Sequence, residues 1–118
     1  MAVTADATGT QTATIGTEHT LRDNATAGTY TLHVDTVNMA AGDVLQLGVY
    51  QIVLTAGTRR GAYNGRWTEA QPADPFGDLI KVSVPISNEL TDSGSLRFTL
   101  LQSKGTGRSY PWKVLKHA

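Results

Sequence analysis

The feature that most constrains this chain is a strict alternation of apolar and polar residues along several short segments. Tyr30, Leu32 and Val34 alternate with polar residues. A second alternating run follows the loop 38–43. A period of two residues is typical of a β-strand with one buried and one solvated face, whereas a helix places apolar residues three and four apart. We therefore predict that residues 30–54 form two central strands joined as a hairpin.

The second of these strands changes its apolar phase along its length. Leu45, Leu47 and Val49 are apolar at odd positions, but from Tyr50 onward the apolar residues fall at even positions. Such a change near Gly48 predicts a β-bulge or a strand that leaves one sheet for another.

Further short segments carry alternating or β-branched residues, and turn-forming residues separate them. They are 12–16, 18–22, 62–67, 79–87, 95–100 and 108–116. No segment favours a helix. About eight short strands with regular turn signals are typical of an antiparallel β-sandwich or barrel. We therefore predict an all-β, single-domain antiparallel sandwich or barrel.

Local signals also predict details of these strands. Asn64-Gly65 favours a two-residue hairpin turn within 62–67, and 104–107 has the composition of a second hairpin turn. Trp112 is expected in the core.

The segment 79–87 has a predicted buried face and a predicted solvated face. The apolar side chains are expected on the buried face: Ile80, Val82, Val84 and Ile86. The residues between them are expected on the solvated face: Lys81, Ser83 and Pro85. Because Pro85 has no backbone donor, this strand is expected at an edge or a bend.

Residues 1–12 are mostly small and polar. Such a segment buries too little apolar surface to become ordered alone. We predict an extended N-terminal arm over 1–12, flexible or ordered against a partner, and a single β domain over 13–118. The first residues lack the basic and apolar character of a secretory signal, and no apolar run is long enough for a transmembrane helix, so we expect a cytoplasmic origin.

The charge balance sets limits on partners and chemistry. The chain has ten basic and ten acidic residues, which gives no overall basic character for nucleic acid, and it has no cysteine. Five basic side chains and no carboxylate side chain lie in 96–118. They are either the outward faces of two strands or a docking face for an acidic partner.

The sequence contains no motif for catalysis, a cofactor or a metal. Among His19, His33 and His117, only His33 has a carboxylate on the same strand face, at Asp35, and no third ligand is evident. No serine lies in a Gly-x-Ser-x-Gly turn. We expect no enzymatic activity, no cofactor and no metal.

Arginine and aromatic residues are interleaved between residues 59 and 67, and this is the strongest candidate surface. The candidate protein-interface residues there and in the basic C-terminal segment are Arg59, Arg60, Tyr63, Arg66, Trp67, Lys104 and Arg108. Tyr, Trp and Arg are common anchors of protein interfaces. The alternatives are that the aromatic residues cover one end of the core, or that they stack on single-stranded nucleic acid or a sugar.

Three segments carry a resemblance to a known group of proteins. They are 14–21 (Thr-Ile-Gly-Thr-Glu-His-Thr-Leu), the loop 38–43 leading to Val49-Tyr50, and 105–115 (Gly-Thr-Gly-Arg-Ser-Tyr-Pro-Trp-Lys-Val-Leu). In this order and spacing they resemble small β-rich virion structural proteins of tailed bacteriophages. This resemblance supplies no catalytic residues.

The resemblance implies a capsid decoration (cement) protein on the virion surface, assembled in the host cytoplasm. Its expected partners are the major capsid protein and further copies of itself, as a trimer or another symmetric oligomer, with no membrane and no nucleic acid. A tail or neck component is the alternative within this class. From another class, a single-stranded nucleic-acid-binding β-barrel remains an alternative.

Overall fold

A computed structural model describes residues 2–72 and 77–117 of the chain. These residues form nine strands and no helix. The strands are β1 (Val3–Thr12), β2 (Glu18–Asn24), β3 (Gly28–Asp35), β4 (Val44–Gln51), β5 (Arg60–Thr68), β6 (Ile80–Val82), β7 (Ile86–Asn88), β8 (Leu96–Lys104) and β9 (Ser109–His117). The predicted all-β class is confirmed.

The strands form two antiparallel sheets that enclose one core. Sheet A has the order β1-β9-β3-β6, and β7 also pairs with β3. Sheet B has the order β2-β8-β4-β5. The core contains Tyr30 from sheet A and Phe98 from sheet B, whose rings meet edge to face with centroids 6.4 Å apart. The architecture is therefore that of a β-sandwich.

The predicted hairpin over residues 30–54 is wrong. β3 lies in sheet A, and β4 lies in sheet B between β8 and β5. The turn predicted at 104–107 likewise joins β8 of sheet B to β9 of sheet A. Alternation identifies a strand and its buried face, but two strands that face one core from opposite sheets show the same alternation as a hairpin.

The predicted N-terminal arm is not present as a separate element. β1 pairs with β9 from Val3 opposite His117 to Thr12 opposite Ser109. Backbone pairing needs no apolar side chains, so composition alone gave the wrong expectation for this segment. Asp6 adds a link to sheet B, because its carboxylate accepts from Arg22 at 3.0 Å.

The predicted facing of segment 79–87 is reversed over most of its length. Lys81 and Ser83 are both 4% exposed, and the aliphatic side chains on either side of them point outward. The hydroxyl of Ser83 accepts from the Leu32 backbone N–H at 2.9 Å, and its own N–H donates to the Leu32 carbonyl. Only Ile86, beyond the exposed Pro85, lies in the core as predicted.

Asn64-Gly65 does not form a turn, and β5 continues through it along β4. A Cβ at Gly65 would collide with the Tyr63 hydroxyl and the Trp67 ring, two residues away on either side of it. The absence of a side chain at Gly65 therefore leaves room for Tyr63 and Trp67 to pack together. The irregularity predicted near Gly48 does occur, as a register shift of β4 against β5 between Val49 and Tyr50, and β4 stays in sheet B.

Candidate functional site

The residues of the predicted arginine and aromatic surface do not face one side. Tyr63 and Trp67 are half-buried and pack against the core. Arg66 pairs with Gln46 and alternates with these rings along β5, so it lies on the outer face of sheet B. The guanidinium of Arg59 donates to the Gly94 carbonyl at 3.2 Å. The aromatic residues therefore cover one end of the core, which was one of the alternatives left open by the sequence.

The remaining candidates lie elsewhere. Arg60 is exposed at the start of β5, and Lys104 is exposed at the end of β8. Arg108 donates to the buried carboxylate of Asp43 at 2.9 Å. The role of the seven residues in a protein interface stays a prediction.

The basic C-terminal segment does not form one charged surface. Arg97 makes a two-point ion pair with Asp23, with Nε and Nη2 at 2.7 and 3.0 Å from the carboxylate oxygens. This hydrogen bond is the largest cause of the lowered pKa of Asp23. Arg97 belongs to sheet B, whereas the exposed Lys113 belongs to sheet A, where it pairs with His33. The positive charges are thus divided between the two sheets.

Two histidines meet on the outer face of sheet A. The Thr31 hydroxyl lies 2.9 Å from Nε2 of both His33 and His117. Burial, with smaller contributions from the neighbouring Lys113 and His117, lowers the pKa of His33. Among residues 2–72 and 77–117, no three His, Asp or Glu side chains are grouped so that they could hold a metal ion.

An aliphatic stripe lies on the outer face of sheet A at the β6 edge. We define it as Ile80, Val82 and Val84, which are 49%, 47% and 53% exposed. A groove of about 300 Å³ adjoins it, lined on one side by Ile80 and on the other by Pro111 and Trp112. The sequence pattern does not distinguish this stripe from a buried strand face, because its residues alternate in the same way as those of a core-facing strand.

A second apolar feature protrudes from the loop between β4 and β5. Val53 and Leu54 are 73% and 74% exposed. The loop is ordered by a tight turn, in which the Gly57 N–H donates to the Leu54 carbonyl at 2.8 Å. Ala56 has a φ of 61°, and its N–H donates to the carboxylate of Asp92 at 2.8 Å. The tip is therefore a fixed apolar projection.

Comparisons with known proteins returned no similarity: no family model, no curated protein and no solved structure matches this chain. Within the described part of the chain, the structure has no helix that is long and apolar enough to cross a membrane.

Proposed function

We propose that this chain is a virion structural protein, a decoration protein that binds the major capsid protein lattice of a tailed bacteriophage. The proposal rests on the resemblance carried by segments 14–21, 38–43 with Val49-Tyr50, and 105–115. The single structural observation that supports it is the outward-facing aliphatic stripe of Ile80, Val82 and Val84.

The stripe has the properties of a protein contact. Its three side chains are aliphatic, lie at every second residue and each keep about half of their surface in water. Burying such surface against a partner stabilises a complex by roughly 25 cal/mol per Å². Three side chains make a small contact, which suits a protein bound in many copies to a repeating lattice, because multivalent binding strengthens weak contacts.

The mechanism that this proposal implies is mechanical. The sandwich is a rigid block, because its two sheets share one core and are joined by ion pairs such as that between Asp6 and Arg22. A rigid block that spans the boundary between two capsid subunits resists their separation. Copies of the chain that contact each other at a symmetry axis add to this effect.

The test is co-sedimentation of the purified chain with intact capsids of the phage that encodes it, followed by quantification of copies per particle. We expect many copies and a saturable isotherm. Val82→Asp places a charge in the stripe and is expected to abolish binding. Val3→Asp is the matched control, since Val3 is a similarly exposed valine at the opposite edge of sheet A, and it is expected to bind normally.

The other outcomes have definite meanings. A few copies per particle would identify a tail or neck component instead of a decoration protein. Binding that is absent for the unmodified chain would overturn both assignments, and equal binding of the two variants would show that the stripe is not the contact.

The nucleic-acid alternative receives no support from the packing of the aromatic residues. Stacking on bases requires accessible ring faces next to basic groups. Tyr63 and Trp67 instead pack against the core, and Arg66 lies on the opposite face of β5.

A further inference from the structure

The outer face of sheet B contains a polar groove centred on a glycine. The pairing register brings Thr20, Thr99, Gly48 and Asn64 into one row across β2, β8, β4 and β5. Gly48 contributes no side chain to this row, and Gly61 leaves a second gap beside it. The resulting hollow has a volume of about 210 Å³.

A hydrogen-bonded network fixes one wall of this groove. Oε2 of Glu18 accepts from the Tyr50 hydroxyl at 2.6 Å and from the Thr99 hydroxyl at 2.8 Å. The hydrogen bond to Glu18 is the largest cause of the raised pKa of Tyr50, so this hydroxyl stays protonated and keeps donating. Within the described residues, the other carboxylate oxygen of Glu18, Oε1, has no hydrogen-bond partner. It remains available as a charged acceptor.

The rest of the lining is neutral. Gln46 and Asn64 supply side-chain amides, each of which can donate and accept, and Leu101 and the Tyr50 ring supply apolar surface. Placed polar groups beside apolar surface are typical of small-molecule sites.

The groove continues into a second hollow of about 360 Å³ that shares Glu18, Tyr50 and Thr99 with the first. Its arginines already have partners: Arg97 is ion-paired with Asp23, and Arg59 donates to the Gly94 carbonyl. Each guanidinium keeps further N–H donors, and the carboxylates of Glu18 and Asp23 balance the two positive charges, so the hollows offer donors and acceptors without a net charge.

We propose that this groove binds a neutral oligosaccharide across the strands of sheet B. Sugar hydroxyls both donate and accept, so they match the carboxylate oxygen of Glu18 and the amides of Gln46 and Asn64. The first hollow is smaller than the roughly 300–1,000 Å³ of sites for drug-sized ligands, which suits one sugar unit. The adjoining hollow accommodates the next unit of the same chain.

This assignment does not depend on the proposed capsid role, because the stripe and the groove lie on different sheets. If the chain is a virion protein, this groove would let the virion bind polysaccharide on a cell surface or in the surrounding medium.

The test is a titration of the isotope-labelled full chain with neutral tetrasaccharides of glucose, N-acetylglucosamine, galactose and mannose, followed by amide NMR shifts. We expect at least one of them to bind with a dissociation constant on the order of 1 mM. The shifted amides should be confined to 18–20, 46–50, 61–64 and 97–101. Shifts centred on sheet A, or no shifts with all four sugars, would overturn the proposal.

Three variants sharpen the result. Gly61→Val fills part of the groove and is expected to abolish binding. The variant should fold normally, because a Cβ at Gly61 has open space and a β-branched residue suits a strand. Ala62→Val adds comparable bulk at the next residue, outside the groove, and should bind normally. Glu18→Gln keeps an acceptor for Tyr50 and Thr99 but removes the charge, and should weaken binding about tenfold.

A cationic probe tests whether the groove binds a basic side chain and not a sugar. Nα-acetyl-lysine amide is expected to cause no shifts in the groove. If it shifts these amides and the sugars do not, the groove is a contact for a basic side chain of a protein, and the oligosaccharide assignment is wrong. Equal sugar binding by Gly61→Val and the unmodified chain would also overturn it.

Discussion

The guanidinium of Arg108 and the carboxylate of Asp43 lie 2.9 Å apart, and this contact joins two of the chain segments that cross between the sheets, the loop before β4 and the loop before β9. Asp43 ends the loop before β4, and Arg108 ends the loop before β9. The carboxylate is fully buried and also accepts from the backbone N–H groups of Ala40 at 2.9 Å and Thr106 at 3.2 Å. One side chain therefore sets the conformation of both crossings.

Asp43→Asn is expected to destabilise the fold. The amide has one acceptor oxygen in place of two, and its NH₂ group faces donors. Losing hydrogen bonds to a buried charged group lowers the free energy of unfolding by about 2–3 kcal/mol. Urea unfolding measures this change. Asp35→Asn is the control, because Asp35 accepts from the Val37 N–H in an exposed turn that asparagine also forms, and its effect should stay within about 0.5 kcal/mol. Equal midpoints for the two variants would contradict the prediction.

The same carboxylate is expected to make stability depend on acid. Burial tends to raise the pKa of Asp43, but hydrogen bonds from Ala40, Arg108 and Thr106 outweigh it, so the pKa lies below the ordinary 3.8. The unfolded chain then takes up the proton more readily than the folded chain. The stabilising contribution is complete above pH 3.8 and is lost as the pH falls through the lower, folded-state pKa.

The measurement for this prediction is the unfolding free energy between about pH 5 and about pH 2. Asp43→Asn should flatten the acid dependence without removing it, because the pKa of Asp23 is also lowered, mainly by its hydrogen bond to Arg97. Parallel curves for the two proteins would exclude Asp43 as a contributor.

Gly105→Ala is expected to disrupt the crossing before β9 far more than Gly16→Ala disrupts the turn before β2. Both glycines have a positive φ, 91° and 81°, so alanine at either position is strained by about 1–2 kcal/mol. A Cβ at Gly105 would also collide with Asp43, whereas one at Gly16 meets nothing within 4 Å. Thermal unfolding of the two variants isolates the collision, and similar losses would show that the loop at Gly105 adapts.

The sequence was sufficient for the fold class and the approximate strands, but not for their partners. The alternation of Leu45, Leu47 and Val49 assigns the buried face of β4 correctly. It contains no information on whether the strand before it lies alongside or across the core. The contact that fixes the crossing joins Asp43 to Arg108, 65 residues apart, and no local pattern reports it.

The candidate surfaces were harder to predict, because on an edge strand the type of a side chain is a weak guide to whether it points to the core or to solvent. Val82 looks like a core residue, and Lys81 looks like a solvated one, yet they exchange these roles. The groove on sheet B depends on Gly48 standing beside Asn64 and Thr99, which only the register reveals.

Trp112→Ala is expected to loosen the N-terminal strand in particular. The indole packs over Gly9 of β1, where a Cβ would lie 3.1–3.2 Å from its ring atoms. Because Trp112 is only half-buried, the loss of stability should fall below the roughly 3–5 kcal/mol of a fully buried aromatic residue. Phe98→Ala, which removes a fully buried ring, provides that reference value.

Hydrogen exchange distinguishes this local effect from general destabilisation. The amides of β1 should exchange faster in Trp112→Ala than in Phe98→Ala once each is compared with its own global stability. A uniform increase across both sheets would mean that Trp112 supports the whole core equally.

Lys81 is buried, and we expect the packing of its aliphatic stem, more than its ammonium contacts, to stabilise β6. The side chain is 4% exposed, and its ammonium lies 3.2 Å from a carboxylate oxygen of Asp78 and 5.7 Å from the Trp67 ring centroid. Lys81→Met keeps the length and packing of the stem and removes the cost of desolvating the charge. Its free energy of unfolding should stay within about 1 kcal/mol of the unmodified chain. Lys81→Ala leaves a gap beside Trp67 and should lose about 2–3 kcal/mol. If methionine is as damaging as alanine, the ammonium contacts hold β6 in place, and the buried stem does not.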